Sequence, residues 1–163
     1  MKVLSKPSKT KLSSVLSGIA GEYFVAAELT RRGYIASITL RNSRGIDILA
    51  TPEAGGQAIE VQVKTSQSER WWLLNKACEE AVNAGRFYLF VRLLDDLSRP
   101  EFYIVPSRVV AEEAKERHLT FLNKPRSKPV KDTAIREFHD ETGRFLERWD
   151  LLGVPDQATV ASS

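Results

Sequence analysis

The sequence has little cysteine or histidine, and these shortages disfavour several kinds of chemistry. Its 163 residues include one cysteine, Cys78, and two histidines, His118 and His139. A single cysteine cannot form a disulfide within the chain or supply a cysteine-rich zinc site. We expect Cys78 to be a small buried residue and both histidines, on predicted helices, to have surface or capping roles. Mechanisms centred on serine, cysteine or histidine therefore receive little support.

Long apolar runs and glycine-rich phosphate loops are also missing. No apolar run reaches the roughly 18 to 20 residues that span a bilayer, and no Walker or dinucleotide-binding glycine pattern occurs. The first eleven residues contain four lysines and no acidic residue, without the apolar stretch of a secretory signal. We therefore expect a cytoplasmic protein that does not associate with membranes.

Length and composition are typical of one globular domain, with 42% hydrophobic residues, 28% charged residues and a net charge of +3. Residues 1–13 are predicted to be a flexible basic arm, residues 14–153 one domain, and residues 154–163 a disordered tail. The arm and the basic segment 124–131 resemble segments that contact phosphates. Solvated loops remain the simpler explanation for either one.

Apolar periodicity predicts helices and strands in a regular order. The first helix is expected from Ser13 or Ser14 to Arg32, with Glu28 outside its apolar arc and Glu22 within the apolar stripe. That arc consists of Leu16, Ile19, Ala20, Tyr23, Ala26 and Ala27. Strands are expected at 34–40, around Asp47, at 59–64, 71–74, 87–93 and 101–105. Further helices are expected at 75–83, 107–117 and 132–148, with the segment 149–152 docking on the body.

The most informative stretch is a predicted pair of short strands joined by a Pro/Gly-rich turn. In the second strand, Glu60, Gln62 and Lys64 alternate with β-branched residues and share one face. If the strands pair, Asp47 lies close to this polar row. A carboxylate, oxygen ligands and a lysine form a hard-cation site with a charged helper. A solvated sheet face is the alternative explanation of the same pattern.

The order helix, strand, strand, strand, helix, strand over residues 14–93 resembles the core of the PD-(D/E)XK nuclease superfamily. Asp47 resembles the motif aspartate on the second strand, and Gln62-Val-Lys64 resembles the (D/E)XK segment on the third. Glu22 is similar to the first-helix glutamate of Holliday junction resolvase-like members. The resemblance implies an α/β, restriction-endonuclease-like fold: an αβββαβ core with a mixed central sheet flanked by helices, plus C-terminal helices.

The resemblance implies a metal-dependent DNA endonuclease, structure-selective or restriction-like, that uses Mg²⁺ or Mn²⁺. Asp47, Gln62 and Glu22 would bind the metal, with Glu60 as a supporting candidate, and Lys64 would orient the attacking water. DNA backbone contacts would come from Arg41, Arg44 and Lys64. A homodimer is expected because members that act on two strands are commonly dimers.

Gln62 departs from the usual motif, which has Asp or Glu at this position. A glutamine carbonyl can bind Mg²⁺ but brings no negative charge, and Mrr-like endonucleases are similar in having a QXK variant. Two alternatives therefore stay open. One is a catalytically inactive nucleic-acid-binding or assembly module on the same fold. The other is a scaffold half of a toxin, defence or mobile-element system, whose C-terminal extension would recruit a partner through Trp149, Leu151 and Leu152 as a docking edge.

Overall fold

The structure is a computed structural model that describes residues 11–40, 45–128 and 130–153. Most of the predicted N-terminal arm and the predicted C-terminal tail lie outside these ranges. The described part contains two α-helices, seven strands and two short 3-10 helices. They are α1 (Ser14–Arg31), β1 (Tyr34–Ile38), β2 (Ile48–Pro52), β3 (Ile59–Gln67), β4 (Trp71–Asn75), a 3-10 helix (Lys76–Glu79), β5 (Arg86–Leu93), β6 (Glu101–Pro106), α2 (Ser107–Asn123), β7 (Ile135–His139) and a 3-10 helix (Trp149–Leu152).

Five strands form a mixed sheet in the order β1-β2-β3-β5-β6. The pairs are antiparallel except for β3 and β5, which run parallel from the Glu60–Arg86 register to the Gln67–Leu93 register. A parallel pair requires a crossover connection, and here it contains β4 and the first 3-10 helix. No helix in the described part of the chain is long and apolar enough to cross a membrane.

The sheet separates two buried apolar clusters. One lies under α1 and includes Val25, Leu29, Val61, Leu89 and Ile104, together with the docked Trp149 and Leu152. The other lies on the opposite face under α2 and the small β4–β7 sheet, and includes Trp72, Tyr88, Phe90, Tyr103 and Phe138. Side chains of β3 alternate between the two faces. Val61 and Val63 therefore point towards α1, and Gln62 and Lys64 point away from it.

Two predicted helices are wrong. The helix expected at 75–83 shrinks to the 3-10 turn Lys76–Glu79, since the side chain of Asn75 accepts the Ala77 N–H and starts a single short turn. The helix expected at 132–148 is replaced by β7, which pairs antiparallel with β4. Its alternating pattern buries Arg136, which contacts Glu79, and Phe138, which stacks on Phe90.

The predicted apolar arc of α1 is also wrong. The buried residues are Ser17, Gly21, Val25, Glu28 and Leu29, about one residue further round the helix. Part of the expected arc faces solvent, where Leu16 is 55% and Tyr23 is 66% exposed, whereas Ile19, Ala20 and Ala26 are half-buried. Small side chains at the buried positions let the helix backbone approach the sheet closely.

Glu28 is a buried carboxylate that joins α1 to the C-terminal segment. Its Oε2 lies 2.6 Å from Arg32 Nη1 and 2.9 Å from Arg99 Nη2, and Arg99 also pairs with Glu147. Burial raises the pKa of Glu28, but the hydrogen bonds from Arg99 and Arg32 outweigh that effect and hold its pKa below the ordinary value. The two arginines compensate the free-energy cost of burying the Glu28 charge on α1.

The closest approach of α1 to the sheet occurs at Gly21. A Cβ built on Gly21 would lie 1.9 Å from Thr65 Oγ1, whereas one built on Gly18 would meet no atom within 4 Å. Only glycine therefore fits at residue 21 with the helix in this position. The contact fixes Glu22, the next residue of α1, beside the part of β3 that carries Lys64 and Thr65.

We predict that substitution by alanine changes the free energy of unfolding in opposite directions at these two glycines. Gly21→Ala should lower the free energy of unfolding by roughly 1–3 kcal/mol because it overpacks the contact with Thr65. Gly18→Ala should raise it by up to about 1 kcal/mol because alanine favours the helix. Urea unfolding of both variants measures the difference, and equal effects would show that α1 does not pack tightly at Gly21.

Candidate active site

The candidate site begins where β2 and β3 separate. Their ladder pairs Ile48 with Val61 and runs towards the turn between them. Just beyond it, the Asp47 N–H donates to the Val61 carbonyl over 2.9 Å. The next N–H on that edge of β3, from Val63, donates to the carboxylate of Asp47 instead, with a distance of 2.7 Å to Oδ2. A side chain thus replaces a backbone acceptor at the point of separation.

The Asp47 carboxylate lies beside β3 at Val63, the residue between Gln62 and Lys64 in the chain. The β2–β3 ladder begins at the pair Ile48 and Val61, so Asp47 precedes it. Gln62 and Lys64 are two residues apart on β3 and share one face of the strand. The predicted pairing of the two strands is confirmed, and the role of Asp47 at the site stays a prediction.

The turn before Asp47 leaves space for the Gln62 amide. Gly45 has a φ of +73°, in the left-handed region that favours glycine. A Cβ there would lie 3.5 Å from Nε2 and 3.7 Å from Oε1 of Gln62. The predicted backbone contacts Arg41 and Arg44 lie outside the described residues.

The helix α1 crosses the face of the sheet opposite Gln62 and Lys64, with Gly21 against Thr65. Among the described residues, the β2 ladder reaches no further along β3 than Val61. The Gln67 side chain holds the start of α1 to the end of β3 through two hydrogen bonds with the Leu12 backbone, of 2.8 and 2.9 Å. Glu22, the residue after Gly21, is partly buried, and its part in the site stays a prediction.

Glu60 is engaged differently from the other predicted metal ligands. Its Oε2 accepts from Arg86 Nε over 2.8 Å and lies 2.7 Å from Arg86 Nη2. Arg86 is opposite Glu60 in the parallel register of β3 and β5. This carboxylate therefore orients an arginine beside the polar row. As a metal ligand, Glu60 stays a prediction.

Gln62 and Lys64 line a cleft of about 250 Å³ between the polar face of β3 and the β4 to 3-10 segment. The other lining residues are Gly45, Leu74, Asn75, Ala77, Cys78, Ala81, Arg86 and Tyr88. Burial raises the pKa of the Cys78 thiol to about 11, which disfavours the nucleophilic thiolate. As predicted, Cys78 is a small buried residue.

Sequence reasoning missed Tyr88, Asn75 and Arg86 in this cleft. Tyr88 lies opposite Gln62 in the parallel register, but an apolar run such as 87–93 gives no sign that one ring borders a polar row. Burial raises the pKa of Tyr88 to about 12, with smaller effects from Cys78, Arg86 and Asp47. The tyrosine is therefore a neutral hydrogen-bonding group at neutral pH.

The donors at the site match a hard divalent cation in type, although they include few carboxylates. The described residues contain no group of three or more His, Cys, Asp or Glu side chains that could hold a metal ion. The candidate donors are instead the predicted ligands, which are the Asp47 carboxylate, the Gln62 amide oxygen and the Glu22 carboxylate. Mg²⁺ accepts one or two carboxylates and otherwise keeps its waters, so this oxygen set fits it.

No family model matches the chain, and no curated protein matches it. Among solved structures, it is similar to a Holliday junction resolvase from the archaeal hyperthermophile Archaeoglobus fulgidus, with a TM-score of 0.51, 16% identity, and coverage of 86% of this chain and 98% of that chain. A bacterial homing endonuclease aligns with a TM-score of 0.48 and 18% identity over 86% of this chain and 92% of that chain. The predicted fold class, a restriction-endonuclease-like mixed sheet with flanking helices, is confirmed.

We predict that Asp47 stabilises the fold by accepting the Val63 N–H, and that this role does not require its negative charge. Asp47→Ala should lower the free energy of unfolding by roughly 1–3 kcal/mol because it leaves the Val63 N–H without its acceptor. Asp47→Asn keeps a side-chain oxygen and should stay within about 1 kcal/mol of wild type. Urea unfolding of the two variants measures the difference between their free energies of unfolding. Equal losses would mean that the amide cannot replace the carboxylate as acceptor.

Proposed function

We propose that this protein is a metal-dependent DNA endonuclease that hydrolyses phosphodiester bonds. The observation that carries the proposal is the hydrogen bond that holds the Asp47 carboxylate at Val63, between Gln62 and Lys64 in the chain, where β2 leaves β3. The same type of fold occurs in the archaeal Holliday junction resolvase, which supports a nuclease without defining the substrate of this chain.

Each residue would have a distinct role in hydrolysis. Asp47 would hold the metal through the carboxylate oxygen that does not accept the Val63 N–H, with Gln62 Oε1 and Glu22 as further ligands. A bound Mg²⁺ or Mn²⁺ supplies Lewis acidity and lowers the pKa of a coordinated water. The Lys64 ammonium would orient the attacking water and offset negative charge that develops on the phosphate oxygens.

The test is cleavage of supercoiled plasmid and of duplex and branched oligonucleotides in Mg²⁺ or Mn²⁺. We expect Asp47→Asn to reduce the rate by roughly 100-fold or more, because a lost metal interaction worth several kcal/mol changes a rate by that factor. The matched control is Asp96→Asn, the same change in the exposed β5–β6 turn, which keeps the oxygen that accepts the Ser98 N–H.

An inactive nucleic-acid-binding module is the second candidate, because Gln62 removes one negative charge from the motif. It predicts DNA binding with no cleavage by wild type under any divalent ion. Cleavage that is equally fast in Asp47→Asn and wild type would contradict the assigned roles, whichever substrate is cut.

We also propose a homodimer, in which two sites would act on two strands. The solvent-facing arc of α1 supports self-association because it exposes Leu16, Tyr23 and Phe24 on one helix. Tyr23→Glu should lower the dimer fraction in sedimentation equilibrium. Ile135→Glu, at an exposed apolar position on β7, is the control because β7 packs on the opposite face of the sheet from α1. A monomer in wild type, or equal effects of both variants, would contradict the proposal.

A further inference from the structure

The cleft beside Gln62 and Lys64 is enclosed by a further wall, which cleavage of a phosphodiester bond does not require. The β4 to 3-10 segment borders the polar face of β3 and encloses about 250 Å³. That volume is slightly below the range of pockets for drug-sized ligands. It has room for a single nucleoside-sized group and is far too small for a duplex.

The walls of the cleft combine apolar and hydrogen-bonding surfaces. The apolar side consists of Leu74, Ala77, Cys78, Ala81 and the ring of Tyr88. Such surfaces suit the faces of a nucleobase, since extruded and single-stranded bases are bound by stacking on aromatic and apolar side chains. A phosphate alone would gain nothing from these walls.

The polar groups of the cleft are held in place by the protein. Arg86 is fixed by its contacts with Glu60. Asn75 uses its Oδ1 to accept the Ala77 N–H, which leaves its NH₂ group available as a donor. Tyr88 is 2% exposed and borders the cleft. Preorganised donors of this kind match the acceptor atoms along the edge of a base.

We propose that the cleft binds one unpaired nucleotide of the DNA, next to the phosphate held at Gln62 and Lys64. The inference rests on the proposed function and narrows its substrate class. A nucleotide that is already unpaired, at a bulge, mismatch or branch, enters without the unstacking and unpairing that a paired nucleotide requires. The enzyme would therefore prefer DNA with a local interruption over a continuous duplex.

The experiment measures binding without cleavage. Fluorescence anisotropy in EDTA compares a fully paired duplex with the same duplex carrying one unpaired central nucleotide. Wild type should bind the interrupted duplex roughly tenfold more tightly, the factor expected when a modest unpairing cost is avoided. Ala77→Trp should fill the cleft and remove the preference.

Two further variants keep the result interpretable. Ala84→Trp makes the same change at an exposed residue that does not line the cleft, so it should retain the preference. Tyr88→Phe keeps the buried ring and removes only the hydroxyl, so it should weaken the preference even if Ala77→Trp does not fold. Equal affinity of wild type for both DNAs, absence of DNA binding, or an unchanged preference in both cleft variants would overturn the proposal.

The test separates this inference from the nuclease proposal because it needs no metal and no cleavage. A preference that Ala77→Trp removes, without cleavage dependent on Asp47, would support the nucleotide cleft and reject the enzyme. Cleavage dependent on Asp47 with no preference for interrupted DNA would support the enzyme and reject the cleft.

Discussion

The hydrogen bond from the Val63 N–H to the Asp47 carboxylate is the contact on which the candidate site depends. It lies where the β2–β3 ladder stops, 2.7 Å long, and supplies the acceptor that a continued β2 would have provided. Buried backbone groups must be paired, so a strand can leave its neighbour here only if a side chain replaces it. The same carboxylate is then held beside Val63, the residue between Gln62 and Lys64 in the chain.

The opposite face adds a second constraint through Gly21 and Thr65. The helix lies so close to β3 that a methyl group on Gly21 would not fit. Sheet separation and close helix packing therefore act on the same part of β3. One holds the Asp47 carboxylate at Val63, and the other seats α1 against Thr65.

Local alternation along single strands was enough to predict the pairing that places Asp47 beside Gln62 and Lys64, because burying one face of β3 determines where its polar residues point. The rotation of α1 was not predictable from its apolar arc. Close contact at Gly21 and the arginine partners of Glu28 outweighed the burial of Leu16 and Tyr23. Long-range pairing similarly produced β7 from a segment with a helical pattern, and it completed the layer that borders the cleft.

The most direct test of this account is calorimetric titration of Mg²⁺ and Mn²⁺ into wild type, Asp47→Asn and Gln62→Glu. The account predicts that binding in wild type is lost in Asp47→Asn, which keeps the hydrogen-bond acceptor but removes the charge. It also predicts stronger binding in Gln62→Glu, which restores a negative ligand. Equal binding in all three proteins, or no binding even after Gln62→Glu, would contradict a metal site at the separation of β2 and β3.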